Sequence, residues 1–330
     1  MKLLRDADID LAPLAGKRVA ILGYGNQGRA QALNLNDGGV DVAVGLRRGS
    51  ATIARVEADG LAALPLAEAV TGADLVMLLA PDEILATLYR EIEPKLRPGA
   101  ALGFSHGLAI RFGLIAPRAD LDVIMVAPKG PGTALRSLYV EGKGMIALWA
   151  VAQDATGDAV ALAQAYGAAI GCGRAGLIAS SFAEECEADL FNEQAVVWGA
   201  VPAILEAGFE TLVEGGIAPE VAFLECVGEL KLLAELVEAR GLAGMREAIS
   251  NTAELGAVLG GPRLVDDSVR QKMRAILAEI RGGDFASRLA DEEASGYPLL
   301  RAARARAKAS TVEQARERLA NASSVKTRTP

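Results

Sequence analysis

Along the first half of the chain, short, mostly apolar runs alternate with segments whose apolar residues recur every three or four positions. Arg18–Leu22 and Ala101–Phe104 are such runs, and others cover 40–45, 75–79, 123–126 and 145–150. Each is short enough for a strand buried on both faces. The intervening stretches 27–35 and 82–96 carry helical spacing. Strands separated by helices predict a parallel sheet covered on both sides.

From about residue 181 the pattern changes. Long amphipathic stretches follow at 182–207, 219–239, 266–280 and 298–319, with Val227, Leu230, Leu233 and Val237 marking one apolar stripe. The fold class is therefore α/β: a Rossmann-type parallel sheet over residues 1–180, then an all-α domain over 181–330. No internal repeat is visible, and the polar tail 321–330 is expected to fray.

Composition sharpens this picture. The chain has 330 residues, 51% of them apolar, enough for two domains with substantial cores. A net charge of −8 argues against a nucleic-acid binder or a polybasic membrane surface. No secretory leader is apparent at the N-terminus, and the apolar stretch 195–205 is short and contains Pro202. Cys172, Cys186 and Cys226 are odd in number and lack CxxC spacing, so they read as reduced, buried thiols in a cytoplasmic protein.

The first strand runs into "GYGNQG", where Gly23, Gly25 and Gly28 form the G-x-G-x-x-G pattern between a strand and a helix. The first glycine permits the tight turn, the second lets backbone approach a pyrophosphate, and the third lets helix and sheet pack closely. An NAD binder usually ends its second strand with an acid that holds the ribose hydroxyls. Here "DVAVGLRRGSAT" supplies Arg47 and Arg48, then Ser50 and Thr52. Guanidinium and hydroxyl groups suit a 2′-phosphate, so NADPH is expected in preference to NADH.

Two acid pairs stand out. Asp189 and Glu193 lie four apart, as do Glu225 and Glu229, each pair among apolar residues. That spacing puts both acids of a pair on one helical face, where like charges repel. Two such pairs could converge on hard divalent cations, and all-oxygen ligation suits Mg²⁺. A solvated acidic helix face is the plain alternative. The sole histidine, His106 in "SHG", and Lys129 in "APKGPG" each follow a predicted strand, at the end of the sheet where ligands gather.

Together these segments resemble ketol-acid reductoisomerase, also called acetohydroxy-acid isomeroreductase, in its short form. "GYGNQGRAQALNL", "APDE", "SHG", "APKGPG", "DLFNEQAV", "ECVGELKLL", "ISNTAELG" and "GPR" carry the resemblance in order along nearly the whole chain. It implies a knotted helical domain, two Mg²⁺ ions and at least a homodimer with a shared site, with higher assemblies left open. It implies that Asp189 and Glu193 are one ligand pair, and that Glu225 and Glu229 are a second pair supplied by the partner. Ser250 matches a substrate-contacting serine, His106 and Lys129 match catalytic positions, and Glu229 is a candidate for proton transfer. Tyr24, Gly25, Asn26, Gln27, Arg47, Ser50, Thr52, Asp82, Glu83, Ile84, Leu85 and Gly132 match cofactor-contacting positions.

The implied reaction converts 2-acetolactate or 2-aceto-2-hydroxybutyrate, with NADPH, to 2,3-dihydroxy acids in valine, isoleucine and leucine synthesis. Alkyl migration comes first and hydride transfer second. The chain departs from the family pattern at Arg29 and Gln31, where histidines are usual, and at Thr133, Gly228 and Leu255. Those departures leave open a paralogue acting on a different 2-keto acid. A metal-free hydroxyacid dehydrogenase and a non-catalytic NADP-binding paralogue also remain open here.

Overall fold

The computed structural model describes residues 2–324. They divide into two compact units, Met1–Ala188 and Asp189–Pro330. Among the described residues the first unit holds a nine-stranded sheet. Its strands are β1 (Leu3–Leu4), β2 (Arg18–Leu22), β3 (Asp41–Leu46), β4 (Ala62–Pro65), β5 (Leu75–Leu78), β6 (Ala101–Phe104), β7 (Asp122–Pro128), β8 (Ala147–Gln153) and β9 (Leu177–Ala179). Around them lie helices α1 (Asn26–Asp37), α2 (Ile53–Ala58), α3 (Leu66–Val70), α4 (Asp82–Ile92), α5 (Leu108–Arg111), α6 (Gly132–Val140) and α7 (Ala159–Ala169).

The spatial order is β1-β9-β8-β7-β6-β5-β2-β3-β4. Six neighbouring strands, β7 to β4 in that order, run parallel. Strand β8 lies antiparallel to β7, and β1 is antiparallel to β9, so the sheet is mixed at this edge rather than parallel throughout. Apolar runs identify buried strands but not their direction. The run at 145–150 therefore predicts a strand, and its antiparallel pairing with β7 corrects the expectation of a parallel one.

The order reverses between β2 and β5, which makes a crevice at their carboxyl ends. Apolar clusters cover both faces of the sheet. One is built on Val19, Ile21, Val44, Met77 and Tyr166, the other on Ala20, Leu22, Val76, Leu102 and Phe104. Each strand divides its side chains between them, as the two-residue period requires.

Helix α8 (Phe182–Ala195) follows β9, and the unit boundary falls inside it. The stretch expected as one helix over 182–207 is broken at 196–199, before α9 (Ala200–Glu214). The second unit continues through α10 (Pro219–Phe223), a π-helical turn (Leu224–Gly228) and α11 (Leu230–Glu247). Then come α12 (Asn251–Leu264), α13 (Asp267–Gly282), α14 (Asp284–Ala294), α15 (Pro298–Ala309) and α16 (Thr311–Ser324). Helix α16 extends into the tail expected to fray, whose residues 325–330 lie outside the described residues.

Buried apolar residues are few in this second unit. One cluster joins Phe209, Ala222 and Ala315, with Val213, Phe223 and Val312 packed against it. Large side chains elsewhere stay open, among them Trp198 at 67%, Leu242 at 68% and Leu264 at 72% exposure. The stretch Phe182–Glu214 is also long and apolar enough, by length and composition, to match a membrane span, yet little of it is buried. So much uncovered apolar surface is unusual for a domain that stands alone.

Close backbone approach fixes the packing of α6 on α1. A Cβ on Gly132 would lie 2.1 Å from the carbonyl oxygen of Asn26, so only glycine fits without movement. Gly132→Ala is expected to lower stability by about 1–3 kcal/mol, as overpacking does. Urea unfolding of both proteins measures it, and an unchanged midpoint would contradict the packing described.

Candidate active site

The carboxyl ends of the central strands place the candidate residues at one edge of the sheet. Strand β2 leads into the glycine fingerprint, and β3 leads to Arg47 and Arg48. Strand β5 leads to Asp82, while β6 and β7 lead to His106 and Lys129. Because β6 and β7 are hydrogen-bonded neighbours, the loops carrying His106 and Lys129 are adjacent.

The fingerprint has the geometry of a phosphate cradle. Gly23 has φ +105°, and a Cβ there would come within 2.6 Å of the Leu79 and Ala80 backbone, across the crevice between β2 and β5. At Gly25 a Cβ would meet nothing within 4 Å. This open face, at the N-cap of α1, fits an anionic group held by helix N–H donors. Asn26 is exposed and Gln27 half-buried, while Gly28 is buried against the turn.

Other cofactor candidates are more varied. Arg47 and Arg48 are exposed; Ser50 and Thr52 are half-buried, with Ser50 accepting the Thr52 N–H at 3.2 Å. Asp82, Glu83 and Ile84 are partly open at the start of α4, whereas Leu85 is 2% exposed and belongs to the core. The Tyr24 ring is buried, and its hydroxyl donates to Asp59 at 2.9 Å. Arg29 holds the same carboxylate through two bonds of 2.6 and 2.7 Å. The departure at Arg29 is thus explained: it clamps the C-terminus of α2 to the first turn of α1. Hydrogen bonding from Arg29 keeps the Asp59 carboxyl below its usual range, against the burial that would raise it.

Glu185 lies beneath the two cation-bearing loops. Its side chain is 1% exposed. One oxygen faces His106 Nδ1 at 3.0 Å and accepts the Gly107 N–H at 2.8 Å. The other accepts from Lys129 Nζ at 2.8 Å. A buried carboxylate is costly unless paired and hydrogen-bonded, and this one is both.

Burial disfavours an imidazolium at His106, but hydrogen bonds to Cys186 and Glu185, with the charges of Glu185 and Asp82, outweigh it and raise its pKa to about 11. Burial likewise opposes ionisation of Glu185, yet His106 and Lys129 hold it below the usual carboxylate range. A raised histidine stabilises fully below its unfolded pKa of 6.5 and loses that contribution progressively as pH rises to about 11. A lowered glutamate stabilises above its ordinary 4.5 and loses that as pH falls through its folded value. The two contributions are complete together between 4.5 and 6.5.

One turn beyond Glu185 on the same helix stands Asp189, and one turn further Glu193. The three acids form a stripe along α8. A hard cation prefers carboxylate oxygens, which Asp189 and Glu193 carry at four-residue spacing along α8.

Glu225 and Glu229 lie in the second unit and are both exposed, as is Leu224 at 51%. Although apolar residues flank this pair in sequence, both carboxylates are exposed. Glu225 sits on the π-helical turn and Glu229 directly after it. Such turns are uncommon and recur at functional sites. Ser250 caps α12, its hydroxyl accepting the Ala253 N–H at 3.2 Å.

A nicotinamide-dependent oxidoreductase is the class that this sheet, glycine cradle and cluster of charged residues define. The NADPH-binding domain of acetohydroxy acid isomeroreductase matches residues 13–176, and the C-terminal domain of ketol-acid reductoisomerase matches residues 182–324. The chain belongs to the ketol-acid reductoisomerase family and is a reductoisomerase of branched-chain amino-acid biosynthesis.

An NADH-preferring ketol-acid reductoisomerase from an uncultured archean is similar at 40% identity and TM-score 0.94, over 97% of this chain and 99% of that one. More distant structures share the fold alone. A semialdehyde dehydrogenase NAD-binding protein from Cupriavidus necator has 20% identity and TM-score 0.57, covering 80% of this chain and 98% of that one. A pyrroline carboxylate reductase from Plasmodium falciparum has 13% identity and TM-score 0.52, covering 82% and 98%.

Glu185 and the Asp59 clamp escape sequence reasoning. Glu185 precedes Asp189 by the same four residues that separate Asp189 from Glu193. That extended ladder is the signal that could have found it. Glu185→Ala is expected to destabilise the protein by about 3 kcal/mol or more, because it removes the shared anion from two cationic groups. Chemical denaturation measures this, and a loss below about 1 kcal/mol would contradict the central role of the carboxylate.

Proposed function

We propose that the chain converts 2-acetolactate and 2-aceto-2-hydroxybutyrate to 2,3-dihydroxy acids with NADPH, as a cytoplasmic Mg²⁺-dependent homodimer. One observation carries this reading: the buried Glu185 anchors two cationic side chains, and the helix that bears it continues into Asp189 and Glu193 at four-residue steps. Carboxylate oxygens from Asp189 and Glu193 would hold Mg²⁺, and Glu225 and Glu229 of a second chain would complete a two-ion site. The exposure of that second pair, and the bare apolar faces of the second unit, support a partner chain.

When bound, the metal supplies Lewis-acid charge to the substrate's ketone and hydroxyl oxygens, and the nicotinamide supplies hydride. The protein contributes position and field. His106 and Lys129 present positive charge toward the pocket where an alkoxide develops, while Glu185 fixes both. Glu229 takes the proton of the tertiary hydroxyl so that the alkyl group can migrate. Ser250 directs its hydroxyl to the substrate while capping α12. On the cofactor side Arg47 and Arg48 stand exposed after β3, near Ser50 and Thr52, and favour a 2′-phosphate. The similar NADH-preferring enzyme makes cofactor choice a property of this loop to be measured.

Oxidation of NADPH with 2-acetolactate, followed by absorbance with and without Mg²⁺, tests the proposal. Consumption should require Mg²⁺ and should fall at least about 100-fold in Asp189→Asn, the scale of losing a group that sets reactive geometry. NADPH should give the higher kcat/KM, and replacing Arg47 and Arg48 together by Asp should reverse the order. Metal-independent turnover would defeat the metal assignment. Tighter use of NADH by the unaltered protein would defeat the cofactor assignment.

A further inference from the structure

Gln31 lies in the middle of α1 with 0% exposure, among Ala30, Ala32, Leu33 and Leu35 of the core. An amide in such a place needs partners for every polar atom. Its Nε2 donates to Gln27 Oε1 at 3.1 Å and to Ser105 Oγ at 2.9 Å. Its Oε1 accepts from the Tyr166 hydroxyl at 2.7 Å. The two acceptors pass the pattern on: Gln27 Nε2 donates to the Gly130 carbonyl at 2.9 Å, and Ser105 Oγ donates to the Val126 carbonyl at 2.9 Å.

The direction of these bonds is fixed by the chemistry of their ends. Backbone carbonyls only accept, so Gln27 must turn its Nε2 to Gly130, and Ser105 must give its hydrogen to Val126. Both then present oxygen to Gln31. A carboxamide has two N–H donors and uses both on them, which leaves its oxygen for Tyr166. Flipping the amide would oppose oxygen to oxygen at Gln27 and Ser105. One orientation satisfies the whole network, and no apolar side chain satisfies any of it.

The residues joined are neighbours of the site. Gln27 belongs to the glycine fingerprint, Ser105 precedes His106, and Gly130 follows Lys129. We propose that Gln31 is a positioning residue whose single amide sets the cofactor cradle, the His106 loop and the Lys129 loop in register. This rests on reading those three segments as the active site. Tyr166 reaches Gln31 from α7 and touches none of the three loops through this network. Its hydroxyl therefore separates the stability of the network from its positioning effect.

The experiment compares Gln31→Met, Gln31→Glu, Tyr166→Phe and Ser105→Ala in the full chain. Thermal unfolding is recorded alongside Kd for reduced cofactor, by nucleotide fluorescence, and kcat with 2-acetolactate at saturating cofactor and Mg²⁺. Gln31→Glu keeps the shape and the acceptor for Tyr166 but loses both donors. Both Gln31 variants are expected to weaken cofactor binding at least fivefold and lower kcat at least tenfold. Tyr166→Phe is expected to change either value less than twofold despite a lower unfolding temperature. Adding Ser105→Ala to Gln31→Met should cost less than a further twofold in kcat, because the two act through one path. The proposal is overturned if the Gln31 variants change Kd and kcat no more than Tyr166→Phe does, or if the Ser105 and Gln31 effects multiply independently. A wild-type protein that binds cofactor without turning over 2-acetolactate would defeat the functional reading instead. The Kd comparison would still decide the role of Gln31.

Discussion

A buried carboxylate cannot stand alone, and much of this site follows from how Glu185 is satisfied. Its two oxygens take three donors from two strand-end loops, at 2.8 to 3.0 Å. The loops carrying His106 and Lys129 must lie side by side for this, which the parallel pairing of β6 and β7 ensures. Helix α8 must also approach closely. Gly107 permits it, since a Cβ there would lie 2.1 Å from the Phe182 carbonyl oxygen. The price of burying one anion is met by two cations, and the result is a fixed positive edge at the strand ends.

Around that anion two further constraints act on the same loops. The Gln31 amide ties their other side to the start of α1. The Asp59 carboxylate holds Tyr24 and Arg29 and so fixes α2 against α1. The cofactor cradle is therefore supported from below by uncharged hydrogen bonds and at its rim by an ion pair. The second unit is built differently. Its buried cluster is small, and large apolar side chains such as Trp198, Leu242 and Leu264 stay exposed.

The sequence was most informative where a local pattern decides structure. Arg18–Leu22 and Ala101–Phe104 are strands with the expected bounds, because fully buried runs leave little choice. The two-residue β1, the half-buried β4 and the three-residue β9 carried too little pattern to be seen. Periodicity makes 182–207 and 298–319 each read as one helix, because it does not show where a chain turns. The breaks fall at 196–199 and at Ser310. The glycine fingerprint was legible because each glycine has a steric task. Glu185 was not, because its role comes from partners 79 and 56 residues away in sequence. Gln31 was visible only as an unusual residue; its bonds with Ser105 and Tyr166 are tertiary.

The chain contains one histidine, so the protonation of His106 can be followed without ambiguity. The most direct test of the account is a pH titration of its imidazole resonances by NMR in the metal-free, cofactor-free protein. If Glu185 holds it as described, His106 stays protonated through neutral pH and titrates well above 8, toward about 11. Titration near the ordinary 6.5 would contradict the claim that a buried carboxylate organises this site.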